Sequence, residues 1–285
     1  MPELPETETI ARDLHREIIG RSIVEVSVTR PDVLREGSAA LLAERTVGRT
    51  LVRSWRRAKL IVLDLDSGDR IVVQPRFTGA MLLSTGPLPD AEAPYSTMRF
   101  GLDDGRDLHY RDIRRLGTVA LMSSARFADY SSTLGIEPLD PAFTEAHLSG
   151  ILRGSRQAVK KVLMDQRVLV GVGNIYANEA CWRAGVDPSR PARSLGGGDV
   201  AALRDGIVDV LTESIEARGT SFRDYRDASG GRGDFARSLA VYGRGGEPCL
   251  RYGLPYGEPE EKEASAWNVL APLPTDIRRV AGGGS

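Results

Sequence analysis

Two cysteines and three histidines in 285 residues leave little with which to build a metal centre or a disulfide framework. Cys181 and Cys249 lie far apart, no Cys-x-x-Cys pair occurs, and His15, His109 and His147 fall in no ligand-like spacing. Neither metal nor cofactor is expected. Long apolar runs are missing too. Nothing approaches the ~18 consecutive apolar residues that span a bilayer. The opening "MPELPETETI" is acidic and proline-rich rather than basic and then apolar. The chain therefore reads as cytoplasmic, with no membrane partner. No phosphate-binding P-loop, dinucleotide fingerprint or Ser-His-Asp grouping stands out, which sets aside the commonest nucleotide-dependent and serine-hydrolase chemistries. Charge of one sign is lacking as well, with 38 Lys and Arg against 39 Asp and Glu.

The distribution of charge is less even than its total. From Arg153 to Arg193 eight basic residues face three acidic ones, and from Arg218 to Arg251 seven face four, while "EPEEKE" (258–263) concentrates acid. Such basic stretches suit a nucleic-acid footprint, and equally the scattered surface arginines of an arginine-rich composition. The length allows two domains with separate cores.

In the first third, "SIVEVSVTR", "TLVRSWRRAKLIVLDLD", "RIVVQPRFTGAMLLS" and "STMRFGLDDGRDLHYRD" are short apolar or alternating runs broken by Ser67-Gly68 and Asp104-Gly105. A helix precedes them, because Ile10, Leu14 and Ile18 recur at four-residue spacing within 7–19. A helix followed by hairpins predicts a β-sandwich with a leading helix. "STLGIEPLDPAFT" (132–144) reads as a linker. Helices follow near 157–165, after "GVGN" (171–174) and near 198–217, and then a Gly-, Arg- and Asp-rich loop at 218–238. The ending "AGGGS" reads as a tail.

Four places could carry chemistry. Removal of Met1 would leave Pro2 as a terminal secondary amine, able to attack a sugar aldehyde carbon and form an iminium. Glu3 beside it could exchange protons with the sugar or the leaving group. Read alone, Met-Pro-Glu is also a common way for a chain to begin. Lys59 enters an apolar strand from a basic turn and could hold its ammonium at a fixed point, or be an ordinary surface lysine. "LMDQRVLVGVGNIYANE" (163–179) joins helix, Gly-x-Gly turn and helix, with Asn174 at the expected N-cap and Lys160 and Lys161 upstream. That arrangement suits phosphate, or a plain helix-turn-helix core. "RDIRRLG" (111–117) sets Arg114 beside Leu116, a cation and an apolar wedge of the kind that fills the gap left by an extruded base, or simply a basic turn.

Taken in order, "PELPE" (2–6), "RRAK" (56–59), "RDIRRLG", "LMDQ…GVGNIYANE" and "VYGRGGEPC" (241–249) resemble the formamidopyrimidine-DNA glycosylase/endonuclease VIII family over nearly the whole chain. The resemblance implies an α+β protein in which an N-terminal β-sandwich catalytic domain (1–130) and a linker (131–145) lead to a helix–two-turn–helix DNA-binding domain (146–240). A β-hairpin finger (241–275) and a tail (276–285) follow. It implies Pro2 as Schiff-base nucleophile, Glu3 as proton donor and Lys59 as a further catalytic group. Lys160 and Asn174 would contact the DNA backbone around the lesion. Phe77 falls where the family has an intercalating methionine, Leu116 beside Arg114 where it has phenylalanine, and Tyr95 where it has a DNA-contacting histidine. The 218–238 loop matches one that closes over the flipped base.

The implied partner is double-stranded DNA containing damaged bases or abasic sites. The implied protein is a bacterial, nucleoid-associated monomer excising oxidised bases and nicking the strand by β-elimination. Two other readings share these residues: a lesion-specific DNA-binding protein without turnover, and an AP lyase with little glycosylase activity. One departure is plain. Where relatives carry a four-cysteine zinc finger, only Cys249 remains; Tyr252 stands at the second position, and Ala264 replaces the arginine near the finger tip. The finger is therefore expected to be zincless, packed by Tyr252, Tyr256 and Trp267.

Overall fold

Helix α1 (Leu4–Ile18) opens the fold of this computed structural model, which describes residues 2–220, 228, 230, 231, 233–251 and 253. Its four-residue stripe is fully buried, with Ile10, Leu14 and Ile18 each at 0% exposure. The chain divides into two compact units. The first comprises Met1–Gly135 with Thr212–Arg237, and the second Ile136–Leu211 with the chain from Ser238 onward.

In the first unit β1 (Ile23–Val28), β2 (Leu34–Arg35), α2 (Ala39–Thr46), β3 (Leu51–Arg57), β4 (Leu60–Leu65) and β5 (Asp69–Gln74) come first. They are followed by β6 (Gly79–Ser84), β7 (Ser96–Leu102), β8 (Asp107–Asp112), β9 (Thr118–Ser123) and α3 (Ser124–Ser132). One sheet runs β1-β7-β8-β6 and the other β2-β9-β5-β4-β3, antiparallel throughout except for the β2–β9 pair. Alternate residues of both sheets meet in one core: Ile61, Leu63, Ile71 and Val73 from one, Met81, Phe100, Leu108 and Tyr110 from the other, with Ile10 and Leu14 of α1. Period-two alternation along each strand makes this packing, so the expected sandwich with a leading helix is what forms.

The second unit is helical, with α4 (Glu145–Arg153), α5 (Val159–Leu163), α6 (Asn174–Ala184) and α7 (Gly197–Glu216), the last turn of α7 being grouped with the first unit. Helices α2, α3 and α4 and strands β2 and β9 were not expected from apolar periodicity. The signals lay in the caps: Ser38, Ser123 and Thr144 each accept a backbone N–H three residues on. Asn174 is the first helical residue rather than the N-cap, which is Gly173. Tyr252, Tyr256, Ala264, Trp267, the tail and most of the finger lie outside the described residues.

Candidate active site and DNA-contacting elements

The N-terminal residues are held by the start of α1. Proline at the helix start suits a position whose N–H has no intrahelical partner. Glu3 is the N-cap, and Glu3 and Glu6 form a reciprocal capping box, the Glu3 N–H donating to Glu6 Oε2 at 2.8 Å. Both carboxylates are buried, at 2% and 1% exposure, and Pro2 is buried with them.

Lys59 reaches the same place from a hairpin. Arg57 pairs with Leu60, so Ala58 and Lys59 form a two-residue turn, and Ala58 takes a left-handed φ of 56° to make it. Burial lowers the Lys59 ammonium below its usual range, and the Glu3 and Glu6 carboxylates act against that shift. Pro2, Glu3 and Lys59 are thus gathered by one helix start and one hairpin. Glu6 is a member that the sequence reading missed; its signal was the capping-box spacing from Glu3. Its other oxygen, Oε1, accepts the Thr220 N–H at 2.7 Å, tying the start of the 218–238 segment to α1. Arg218 adds bonds to Asp13 at 3.2 and 2.6 Å. Within that segment residues 221–227, 229 and 232 lie outside the described residues.

Two neighbouring turns present Phe77, Arg114 and Leu116. Asp112, 1% exposed, organises both. It accepts the Thr78 hydroxyl, the Gly117 N–H at 2.8 Å and the Arg114 N–H at 3.3 Å. Thr78 Oγ1 also accepts the Arg114 N–H at 3.0 Å, so the two turns are one assembly. Gly117 is required by space: a Cβ there would lie 2.0 Å from the Tyr110 hydroxyl and 2.6 Å from the Gln74 carbonyl. With its base fixed, the assembly leaves Phe77 48% and Leu116 41% exposed, and the Arg114 guanidinium sits 5.3 Å from the Phe77 ring centroid. Exposed apolar groups on a rigid support are suited to insertion. Tyr95 is also exposed, its ring 5.9 Å from the guanidinium of Arg111, which is in turn paired with Glu92.

In the second unit, the Gln166 side chain braces the turn between α5 and α6. Its Nε2 donates to the Met164 and Val172 carbonyls, both at 2.9 Å, and its Oε1 accepts the Gly171 N–H at 2.9 Å. Gly171 needs its φ of 79° there. Asn174 is half-buried at the head of α6, its Oδ1 buried with no hydrogen bond among the described residues. Lys160 is buried at 7% exposure, and its charge acts on Cys181, whose thiol burial pushes up to about 12. Lys161 is exposed. Glu179, another residue the sequence reading passed over, accepts the N–H groups of Ala240, Val241 and Tyr242 at 2.9, 3.0 and 2.9 Å.

The residues at the finger root do not fit zinc. Cys249 is buried against Val241 with Trp182 packed on them, and its Sγ accepts the Arg251 N–H at 3.4 Å. Arg251 covers the Trp182 ring at 4.7 Å and donates to the Arg183 carbonyl. A single thiol supplies one of the four ligands that structural zinc takes.

A two-sheet sandwich whose leading helix follows Pro2 and sets buried carboxylates beside it, continued in the chain by a helical unit with a braced turn between α5 and α6, defines a narrow class of α+β protein. The model of the formamidopyrimidine-DNA glycosylase N-terminal domain matches residues 1–119, and that of the formamidopyrimidine-DNA glycosylase H2TH domain matches residues 134–226. The chain is 41% identical to the formamidopyrimidine-DNA glycosylase of Moorella thermoacetica over 257 residues, 90% of this chain and 93% of that protein. Among solved structures it is similar to Lactococcus lactis Fpg (MutM) in complex with DNA containing N7-benzyl-Fapy-dG, with a TM-score of 0.84, 30% identity, and 91% and 94% of the two chains covered. The complex of Lactococcus lactis Fpg with abasic-site DNA gives 0.83, at 30% identity over 90% and 94%. The chain belongs to the formamidopyrimidine-DNA glycosylase family.

Proposed function

We infer that this protein is a bifunctional DNA glycosylase and AP lyase of base excision repair, acting as a monomer on double-stranded DNA that contains damaged bases or abasic sites. The observation that carries this reading is the gathering of Glu3, Glu6 and Lys59 about the residue that follows Met1. Once Met1 is removed, the Pro2 nitrogen attacks C1′ of the damaged nucleotide, and the base leaves with a proton that Glu3 can deliver. The Pro2 nitrogen then loses its proton, the C1′–O4′ bond opens with O4′ taking up a proton, and the resulting iminium acidifies C2′. Loss of that proton expels the 3′ phosphate by β-elimination, and water then releases the sugar from Pro2. Lys59 brings positive charge to the same place.

Phe77, Arg114 and Leu116 fill the gap left by the extruded nucleotide, and Tyr95 contacts the duplex beside them. Lys160 of α5 and Asn174 at the head of α6 hold the backbone around the lesion. Along the chain we keep the domain limits read from the sequence as a proposal, with Lys59 in the catalytic domain and Asn174 in the helix–two-turn–helix; by packing, Thr212–Arg237 groups with the sandwich unit. Fapy-dG in the DNA bound by a relative supports oxidised purines as substrates. The bacterial relatives support action in the cytoplasm, at the nucleoid.

Borohydride trapping tests the reading. Duplexes carrying 8-oxoguanine opposite cytosine, an oxidised pyrimidine or an abasic site are expected to give a covalent adduct, lost in Pro2→Gly. Trapping on the abasic duplex alone would reduce the protein to an AP lyase. Tight binding with no adduct on any duplex would make it a lesion-binding protein.

A further inference from the structure

Between the outer face of α1 and strand β3 the first unit has a pocket of 630 Å³. Arg12, His15, Arg16, Arg53, Ser54 and Arg56 line it, and nothing in the chemistry proposed for Pro2 uses them. Its electrostatics are one-sided. Glu8 is shared by Arg12 and Arg56, at 2.7 and 2.8 Å, and Asp13 by Arg16 and Arg218, at 2.5 and 2.6 Å. Burial alone would raise the Glu8 carboxyl, yet Arg56 and Arg12 hold it below its usual range. Arg53 has no carboxylate among the described residues and lies 5.0 Å from the centroid of Trp55, which also lines the pocket. Within the lining itself four guanidiniums, of Arg12, Arg16, Arg53 and Arg56, therefore meet one carboxylate, Glu8, with the Asp13–Arg218 pair lying outside it.

The neutral groups are donors as well. His15 Nδ1 accepts the Ser54 N–H at 3.3 Å, which leaves Nε2 to carry the ring proton on an exposed side chain. Ser54 is 5% exposed, and its hydroxyl oxygen has no hydrogen-bond partner among the described residues. A buried hydroxyl left unpaired is costly unless a ligand or water completes it. Guanidinium forks match phosphate oxygens in geometry as well as in charge.

We propose that the α1–β3 pocket is a phosphate-binding site separate from the Pro2 centre, taking phosphate groups either free, as a pyrophosphate-like ligand, or as part of a DNA backbone. The two sources share the chemistry and differ in what must be titrated.

The test uses the full chain and four proteins: wild type, the double variant Arg16→Gln/Arg53→Gln, Ser54→Ala, and Arg49→Gln as an exposed arginine outside the pocket. Both pocket arginines are exposed, and Asp13 keeps Arg218 when Arg16 is removed, so the double variant should fold. Inorganic pyrophosphate is titrated by calorimetry, and a short undamaged duplex by fluorescence anisotropy. Saturable pyrophosphate binding, weakened about tenfold or more in the double variant, weakened less in Ser54→Ala and unchanged in Arg49→Gln, is the result expected for a free ligand. Loss confined to the duplex titration assigns the pocket to backbone phosphate. If neither titration separates the double variant from Arg49→Gln, the proposal is overturned.

Discussion

The carboxylate of Glu6 accepts the backbone N–H of Thr220 across 214 positions of sequence, at 2.7 Å, while its other oxygen holds the N–H of Glu3. One buried side chain thereby fixes both the residue after the proposed nucleophile and the entry to the 218–238 segment. Replacing Glu6 with Ala leaves two buried N–H groups without this acceptor, each worth roughly 1–3 kcal/mol. Thermal unfolding is expected to show that loss, and borohydride trapping to fall with it. Glu6→Gln keeps an acceptor for one N–H but sets an amide N–H₂ against the other, so it should recover only part of both.

Lys59 gives a signed pH effect. Its folded pKa is depressed by burial, so between that value and the ordinary ~10.4 the unfolded chain holds more protons at this site and stability gains with rising pH. The gain is absent while the lysine is charged in both states and complete above the unfolded value. Relative to Lys59→Met, the wild type should therefore gain thermal stability as pH is raised through the alkaline range toward about 10.4. A difference between the two proteins that stays flat or narrows the other way would contradict the burial argument.

The Phe77–Arg114 contact predicts separable losses. Phe77→Ala removes an exposed apolar group and should leave the stability within about 0.5 kcal/mol of wild type. Release of a damaged base from duplex DNA should drop about tenfold or more, whereas strand cleavage at a preformed abasic site, which needs no base extrusion, should drop less. Asp112→Ala should reduce both and also lower stability, since it leaves the Gly117 N–H and the Thr78 hydroxyl without this acceptor and the Arg114 N–H with Thr78 Oγ1 alone.

Glu179 closes three consecutive backbone N–H groups at residues 240–242. Charge-assisted bonds of this kind contribute about 1.5–3 kcal/mol each when broken singly, and they are not additive. Glu179→Ala is expected to raise hydrogen exchange at Ala240, Val241 and Tyr242 well before it affects the sandwich, as mass spectrometry of peptic fragments can show.

The finger root should be indifferent to chelators. With Cys249 the one thiol there and buried beside Val241 and Trp182, EDTA is expected to leave both the melting temperature and borohydride trapping unchanged. Arg251→Ala, which uncovers the Trp182 ring, should lower stability by about 0.5–2 kcal/mol.

Local patterns determined much of this protein. The four-residue stripe in α1 and the short apolar or alternating runs of β3 to β8, broken by turn pairs, are local signals, so helix, sandwich and turns were legible. The proline after Met1, the hairpin lysine and the "RDIRRLG" turn could be named from their own residue types. What sequence did not display were pairings between distant residues: Glu6 with Thr220, Asp112 with Thr78, Glu179 with residues 240–242. Each is a buried carboxylate whose partners are backbone N–H groups or a hydroxyl. Backbone groups are the same at every position and leave no mark in a sequence, so only the folded chain decides which of its 39 acidic residues become buried supports and which stay in water. The α1–β3 pocket is of the same kind, since its arginines look like surface charge until two elements remote in sequence bring them together.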